Sequence, residues 1–445
     1  MRMELPEHVK TIIQKLESHG YEAYAVGGCV RDTLLGRTPG DWDITTSAAP
    51  QQVKAIFHKT VDTGIQHGTV TVILDHVGYE VTTYRIDGDY ADSRHPSEVT
   101  FTSNLEEDLK RRDFTINAMA YNEKTGLKDC FGGYEDLQKG IIRCVGDPKE
   151  RFGEDALRML RAVRFSAQLG FAIEENTRQA VRLLAGNLRQ ISAERIQTEL
   201  VKLLLSAHPD TLRTAWELGI TAVILPEFDA MMDTEQHNPH HCFTVGEHTL
   251  KALTCVPADR YLRLGMLFHD FGKPLCLSTD AKGIDHFYGH PKESARLASE
   301  ILHRLKFDND TISHVTRIVR WHDLDLGDTP AEVRQAVHLV GEDIYPLLFP
   351  VKQADMDAQS TYQREEKQAS LDRSRRIYEE VLAAGDCLSL KTLAVGGRDL
   401  IAAGIRPGPR IGEILEKLLA DVLVHPAHNT REYLLSRLPA KTEEL

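Results

Sequence analysis

The alternation of apolar and polar positions divides the chain into a strand-rich front and a helical remainder. Residues 1–20 carry apolar side chains at helical spacing and close on Gly20, which predicts an amphipathic helix. Short β-branched or aromatic runs follow, "EAYAVGG", "DWDITT", "GTVTVIL", "YEVTTYRI" and "EVTFTS", each bounded by Gly, Asp or Pro and each expected as a strand. From about residue 150 the period changes. "GEDALRMLRAVRFSAQLG", "SAERIQTELVKLLLSA" and "HTLKALTC" repeat apolar residues at i, i+3 and i+4, so helices are expected to the end. The expected class is α+β: a small α/β head with a mixed sheet, then a long all-helical body and a helical tail. "PEFDAMMDTEQHNPHH" and "LAAGDCLSLKTLAVGG" are the expected seams.

Composition narrows the class. With 445 residues, of which 42% are hydrophobic and 27% charged, the chain exceeds one core and reads as a soluble protein of several domains. No apolar run nears the roughly 18 residues that span a bilayer, so no membrane partner is expected. The charged N-terminal helix is expected to be neither a signal nor a transit peptide. Seven cysteines without CxxC spacing suit reduced thiols and a cytoplasmic location. A net charge of −13 argues against a general nucleic-acid coat but leaves room for local basic grooves, since screening confines charge to about 10 Å.

"AVGGCVRDTLLGRTPGDWDI" concentrates chemistry in the head. Asp41 and Asp43 lie two apart before Ile44-Thr45-Thr46, so on a strand both carboxylates project to one face. Like charges that close call for a cation, and Mg²⁺ takes oxygen ligands. Divalent ions of this kind clamp the attacking and leaving oxygens of a phosphoryl displacement. Glu80 in "YEVTTYR" offers a third acid to help deprotonate an attacking hydroxyl. Gly27 and Gly28 at a strand-to-helix turn let backbone N–H groups approach a phosphate, and Arg31 adds a guanidinium fork. In "RRDFTINAMAY", Arg111 and Arg112 suit a triphosphate, and Asp113 a ribose hydroxyl. Singly these are ordinary turns and helix ends; together they make the set a nucleotide-transfer site needs.

Further along, "EDALRMLRAVRF" as one helix places Glu154, Asp155, Arg158 and Arg161 opposite Ala156, Leu157, Leu160 and Val163, at about 100° per residue. Asp155 and Arg158 then reach one ligand: the carboxylate accepts from the exocyclic amine of cytosine or adenine, and the guanidinium donates to the neighbouring ring acceptor. Uracil and guanine leave both groups unpaired, at about 1–3 kcal/mol each. A solvated set of i,i+3 ion pairs is the alternative.

"GGCVRD", "DWDI", "RRDFTINAMA" and "GEDALRMLRAVRF" resemble, in order and spacing, the class II tRNA nucleotidyltransferases, the CCA-adding enzymes of the polymerase-β-like superfamily. The resemblance covers roughly residues 20–230. It implies that Asp41 and Asp43 bind catalytic Mg²⁺, that Gly28, Arg31 and Arg112 contact the incoming nucleotide, and that Asp155, Arg158, Arg161 and Arg164 do likewise. Arg164 falls on the apolar side by angle. "YADSRHPSEVTF", with Asp92, Arg94 and His95, is similar to the flexible loop of full CCA-adding enzymes, although Ser93 stands where most relatives have glycine.

Histidines gather in "HNPHHCFTVGEHTL", "GMLFHDFGKP", "FYGHPKES" and "RWHDLDL". His269-Asp270 at a helix end, with His248 and with Asp355 from "KQADMDAQ", offer a donor set for Mn²⁺, Fe²⁺, Co²⁺, Ni²⁺ or Mg²⁺. The order resembles an HD-type metal-dependent phosphohydrolase domain, and His290 and His322 match that pattern's extra histidines. Retention as helical scaffold is the alternative. In the tail, "PGPRIG" places backbone amides and Arg410 at a helix start, a seat for an RNA phosphate or an ordinary helical turn. The resemblance implies that body and tail grip the acceptor stem and T-arm of tRNA by shape.

The expected organisation is a nucleotidyltransferase head (1–145), a helical neck with the nucleotide-selecting helix (146–230), an HD-type domain (231–375) and a tRNA-contacting tail (376–445). The expected activity is untemplated addition of C, C and A to tRNA 3′ ends from CTP and ATP, with an accompanying phosphohydrolase in RNA end repair. No protein partner is implied. The alternatives are an A-adding or poly(A)-adding polymerase, and an HD phosphohydrolase whose head senses nucleotides. A non-catalytic RNA-binding protein has no need of the paired carboxylates.

Overall fold

The run Ala23–Val26, buried at every position, is the middle strand β1 around which the first half of the chain assembles. The computed structural model describes residues 3–87, 99–240 and 242–438. These divide into two units, one ending at Pro226 and the other beginning at Glu227. In the first unit, α1 (Glu7–Ser18) buries Val9, Ile12, Ile13 and Leu16 and packs on β1. The other strands are β2 (Ile44–Thr46), β3 (Thr60–Gly64), β4 (Thr69–Leu74), β5 (Val77–Thr83), β6 (Arg85–Asp87), β7 (Val99–Phe101), β8 (Met119–Asn122) and β9 (Gly126–Asp129).

Seven of them form a mixed sheet in the order β3-β4-β5-β2-β1-β8-β9, in which only β2 and β5 run parallel. The α+β class expected from the hydrophobic pattern is the class observed. β6 and β7 pair separately and flank residues 88–98; Asp92, Arg94 and His95 therefore lie outside the described residues. Between β1 and α2 (Gly28–Leu34), Gly27 adopts φ 81°, a left-handed value glycine reaches without strain. α3 (Pro50–Ile56), α4 (Leu105–Lys110) and α5 (Gly133–Lys139) complete the head. Tyr24, Val26, Tyr84, Leu109, Ala118, Ala120 and Val145 form one of its apolar clusters.

The single helix expected over "EDALRMLRAVRF" is two. α6 (Pro148–Glu154) ends at Asp155, whose φ −141° and ψ 102° are extended, and α7 (Leu157–Leu169) starts beyond it. The Asp155 carboxylate accepts the Leu157 N–H at 3.0 Å, the capping behaviour that makes aspartate a helix starter. α7 packs on α9 (Ala193–Leu204), with α8 (Glu175–Leu184) between them in sequence.

The second unit is helical apart from a two-residue hairpin, Ser278–Thr279 with Asp285–His286. Helices Val245–Cys255, Arg260–Phe268, Asn309–Trp321 and Tyr345–Ala358 pack on one another. Cys387, Leu400, Leu419, Val422 and Leu434 belong to a separate apolar cluster near its end. There the helix Pro409–Val424 begins where "PGPRIG" predicts, with Arg410 exposed in its first turn. No described helix is long and apolar enough to cross a membrane. Leu109 is fully buried one turn before the arginine pair. Leu109→Ala should therefore destabilise the head by about 2–5 kcal/mol, read as a lowered urea midpoint of the full chain.

Candidate functional site

β2 begins at Ile44, so Asp41 and Asp43 occupy the extended segment leading into the strand rather than the strand itself. The Val26 N–H to Asp43 C=O bond, 3.0 Å, ties this segment to β1 just before the Gly27 turn. Because Ile44 pairs in parallel with Val81, the residues preceding each, Asp43 and Glu80, are neighbours at the mouth of β2 and β5. Solvent reaches all three acids. Crowding by protein and the Asp41 charge nevertheless raise the pKa of Asp43, against the pull of Arg112. Partial desolvation, then Asp43 and Asp41, raise that of Glu80. Their oxygens do not all close to within 4.8 Å of one another, so the acids face a common space without being locked together. Mutual repulsion is what a divalent cation among them would relieve.

Arg112 is near enough to the acids to act on Asp43, and each arginine of the set is tied down. Arg31 is buried, donates from Nη1 to Asn117 Oδ1 at 2.7 Å, and grips Asp32 through Nε and Nη2 at 2.8 and 2.9 Å. Arg111 and Arg112 both turn to Asp108, a fully buried carboxylate that also accepts from Thr45 Oγ1 at 3.0 Å. Burial pushes the Asp108 pKa up, and the two guanidinia pull it below the ordinary range. A Cβ on Gly27 would lie 3.0 Å from Arg112 Nη1, so the glycine admits that guanidinium against the turn.

Asp113 does not offer its carboxylate to a ribose, as the sequence suggested. Oδ2 accepts from Arg161 Nε and Nη2 at 2.9 and 2.6 Å, while Oδ1 accepts from Phe114 N–H and Asn117 Nδ2. Burial raises its pKa, but Arg161 and these donors outweigh that and hold it at about 2.

The helix break changes the geometry expected of Asp155 and Arg158. Asp155 is at the junction and not on the face of a continuous helix. Its Oδ2 pairs with Arg195 Nη2 of α9 at 2.7 Å. Arg158 is buried; Nη1 donates to Glu154 Oε2 at 2.6 Å and Nη2 to the Arg111 carbonyl at 3.1 Å. Arg158 stays against the Arg111–Asp113 segment, and each of the two groups has an internal partner. Arg164 falls on the packed side, as its angle indicates, against Glu199 at 2.5 Å and over the Phe165 ring at 3.7 Å. Burial lowers its pKa, opposed by Glu199.

The second unit assembles all six of its expected residues. Asp270 lies centrally: His269 Nε2 is 3.1 Å away, His290 Nε2 3.3 Å, His248 Nε2 3.9 Å and His322 Nε2 3.9 Å. Asp355 Oδ1 lies 2.8 Å from His248 Nε2 and 3.7 Å from His269 Nε2. His269, His290 and His322 each direct Nδ1 at the backbone carbonyl three residues earlier, at 2.7, 2.9 and 2.7 Å. His248 Nδ1 faces the Ala358 carbonyl at 3.4 Å. Such bonds fix the tautomer and leave Nε2 for a ligand.

Among the described residues, buried His269 Nε2 and Asp270 Oδ2 find no partner in hydrogen-bond geometry, although they lie 3.1 Å apart and Lys273 Nζ is an ion-pair neighbour of Asp270 Oδ2 at 2.8 Å. Two triads, His248–His269–Asp270 and Asp270–His290–His322, place their donor atoms within 4.8 Å of one another. This imidazole and carboxylate set fits a first-row divalent metal. Without a cation, burial pushes His269 down but the acids raise it to about 10. His322 is pushed by burial and by His269 to about 3.

Several side chains that hold these groups in place carried no clear signal in sequence. Asp108 had only its i+3 and i+4 spacing to Arg111 and Arg112; Glu199 and Arg195, from another helix, had none. Lys273, in "HDFGKP", reaches Asp270 at 2.8 Å.

Against known proteins, the family model "Poly A polymerase head domain" matches residues 23–143, "Probable RNA and SrmB- binding site of polymerase A" matches 170–232, and a tRNA nucleotidyltransferase domain 2 model matches 290–438. A Leuconostoc mesenteroides protein, called a CCA-adding enzyme, is 57% identical over 209 residues, covering 46% of this chain and 52% of that protein. One from Limosilactobacillus reuteri, of the same name, is 38% identical over 98% of this chain and 97% of its own. The crystal structure of the Bacillus stearothermophilus CCA-adding enzyme in complex with CTP superposes with a TM-score of 0.74 at 32% identity, covering 98% of both chains.

The depressed Asp113 pKa sets a pH dependence. Its folded value of about 2 lies below the ordinary carboxylate value of about 3.9, so its contribution is complete above the unfolded value and fades as pH falls toward 2. Urea unfolding between pH 6 and 2 should show roughly 2 kcal/mol of acid-limb loss that Asp113→Asn removes.

Proposed function

The chain belongs to the family of CCA-adding enzymes, and on that footing we propose that it adds C, C and A to tRNA 3′ ends from CTP and ATP. The observation that carries the proposal is the convergence of Asp41, Asp43 and Glu80 at one strand mouth, facing a turn that Arg112 closes. The terminal tRNA hydroxyl attacks the α-phosphate; the new P–O bond forms as the bond to the β-phosphate bridge breaks and pyrophosphate leaves. Glu80, made a better base by its surroundings, accepts the hydroxyl proton. Gly28 backbone, Arg31, Arg111 and Arg112 receive the triphosphate, and its charge is matched before it binds. Mg²⁺ held by Asp41 and Asp43 would supply Lewis-acid stabilisation of the reacting phosphate.

Base choice falls to Asp155 and Arg158. In the free protein a guanidinium (Arg195) occupies the acceptor Asp155 and a carboxylate (Glu154) occupies the donor Arg158. Cytosine and adenine offer the same two polarities, an amine donor beside a ring acceptor, and replace both partners. Uracil and guanine offer the reverse. Arg161 and Arg164, held by Asp113 and Glu199, keep α7 in place under this pair.

The functional assignment divides the chain into a head (1–145), a neck (146–230), a metal-binding helical domain (231–375) and a tRNA-contacting tail (376–445). The flexible loop with Asp92, Arg94 and His95 is assigned to the switch from C to A. A second activity is favoured by the buried histidine–aspartate cluster: His248, His269, Asp270 and Asp355, with His290 and His322, hold a divalent metal for phosphoester hydrolysis at damaged RNA ends. A cytoplasmic location accords with both activities.

Truncated tRNA incubated with CTP and ATP, separately and together, tests the first reading. Incorporation of both requires Mg²⁺ and stops with chelation. Asp41→Ala should lower it by about 10²–10³-fold or more without loss of fold. Asp270→Ala should leave tailing intact and abolish any Mn²⁺- or Ni²⁺-dependent release of phosphate from 2′,3′-cyclic phosphate ends. If Asp270→Ala instead stops tailing, the division of labour between the two sites is wrong.

A further inference from the structure

Phe165 of α7 is 5% exposed, and three guanidinia crowd its ring. The guanidinium carbon of Arg164 lies 3.7 Å from the ring centre, that of Arg31 5.1 Å and that of Arg161 5.4 Å. Cations over aromatic faces occur about once per 70–80 residues of protein, so three on one ring are a concentration that apolar packing does not explain. Each cation has its own acid: Glu199 for Arg164, Asp113 for Arg161 and Asp32 for Arg31. The ring is therefore not needed to neutralise charge. It is itself held by Phe114, a fully buried neighbour of Asp113, whose ring meets it edge-on at 5.7 Å and 80°.

Arg161 and Arg164 belong to α7, as does the ring, whereas Arg31 comes from α2. The N–H groups of Arg31 are directed by Asp32 of α2 and by Asn117 just before β8. Among the described residues, the Phe165 ring is the contact that joins this guanidinium to α7. A hydrogen bond nearby reinforces the approach of the two segments: Arg37, beyond the end of α2, donates from Nη1 to the Gln168 carbonyl at 3.4 Å. Around α7, Phe165 follows Arg158 by seven residues. At about 100° and 1.5 Å per residue that is two turns, about 10 Å along nearly the same face. One face of the helix thus carries Arg158 at one point and grips Arg31 at another.

A nucleoside triphosphate has its base and its phosphates at a separation that the ribose fixes within narrow limits. Groups that receive both ends must keep a matching offset. We propose that Phe165 is a positioning residue for nucleotide binding: its ring holds the Arg31 guanidinium at a set offset from Arg158, so that one nucleotide meets both. The inference rests on the reading of Arg31 as a phosphate receiver and of Arg158 as a base reader, and it adds the side chain that couples them. A ligand that uses both ends gains from the coupling. A ligand made of phosphate alone does not.

The test uses the full-length protein and reads kcat and KM for CTP incorporation into truncated tRNA, together with inhibition by inorganic tripolyphosphate. Phe165→Leu removes the π-face and keeps an apolar side chain. A ring-trifluorinated phenylalanine at position 165 keeps the shape and weakens the attraction of the ring for a cation. Phe165→Leu should raise KM about tenfold, within what one desolvated cation–π contact supplies, and leave kcat and the tripolyphosphate inhibition constant within about twofold. The fluorinated protein should shift KM in the same direction by a smaller factor, with an unchanged circular dichroism spectrum. If Phe165→Leu does not fold, the fluorinated protein decides alone.

An unchanged KM in the fluorinated protein overturns the proposal. So does an inhibition constant for tripolyphosphate that rises in step with KM, because the ring then serves the phosphate end alone. A loss confined to kcat overturns it as well. Arg31→Ala tests the underlying reading separately, and should weaken tripolyphosphate inhibition about tenfold. No change there removes Arg31 from the phosphate site whatever the ring does. A change there beside a normal KM in the fluorinated protein removes the coupling and leaves the phosphate reading standing.

Discussion

Asp108 is the charge around which the first unit is organised. It is fully buried, and a lone carboxylate there would be prohibitively costly. Arg111 and Arg112 supply the compensation, and the Thr45 hydroxyl supplies a further donor. Thr45 belongs to β2, the strand that starts immediately after Asp43. One buried acid thus fixes the position of the cationic pair and of the acidic segment at once. The distance between the arginine pair and the acidic segment is therefore set inside the core, where packing does not yield, and not on the surface.

The same device recurs deeper along α7. Asp113 holds Arg161, and Glu199 holds Arg164 with Arg161 in reach at 3.7 Å. Each guanidinium is charged at any working pH and has a fixed fork, so a carboxylate opposite it determines its direction. A site proposed to accept a triphosphate gains from donors that do not have to be reoriented when it arrives. Buried pairs of this kind add little net stability. Their effect is on geometry.

What the sequence disclosed follows from what is local. β1, β2, β4 and β5 are runs of β-branched and aromatic residues with punctuation on both sides, and their existence was legible. β8, with the sequence MAYN, has weak strand propensity and forms because β1 and β9 pair with it on either side. The acids Asp41 and Asp43 were legible because they are two apart; Asp108 was not, because its partner Thr45 is 63 residues away. The interrupted helix is the instructive error. Periodicity persists across Asp155, but an aspartate that caps the next helix ends the first. The ion pair to Arg195, across 40 residues, then takes the carboxylate out of the arc that the period assigned to it.

The two proposed metal sites differ in a way that side-chain chemistry explains. In the head the donors are carboxylate oxygens only, open to water and held apart until something binds, an arrangement suited to a hard ion that keeps much of its hydration and arrives with a nucleotide. In the second unit the donors are mostly imidazole nitrogens, buried, with the tautomers of His269, His290 and His322 set by carbonyls three residues earlier in the chain. Such a set is preorganised and favours softer first-row ions. Histidines at the ends of helices Arg260–Phe268 and Asn309–Trp321 point inward because the last turn of each helix leaves carbonyls that need donors. Satisfying a helix end and presenting Nε2 are the same hydrogen bond, so the cluster's geometry is built from requirements the helices already have.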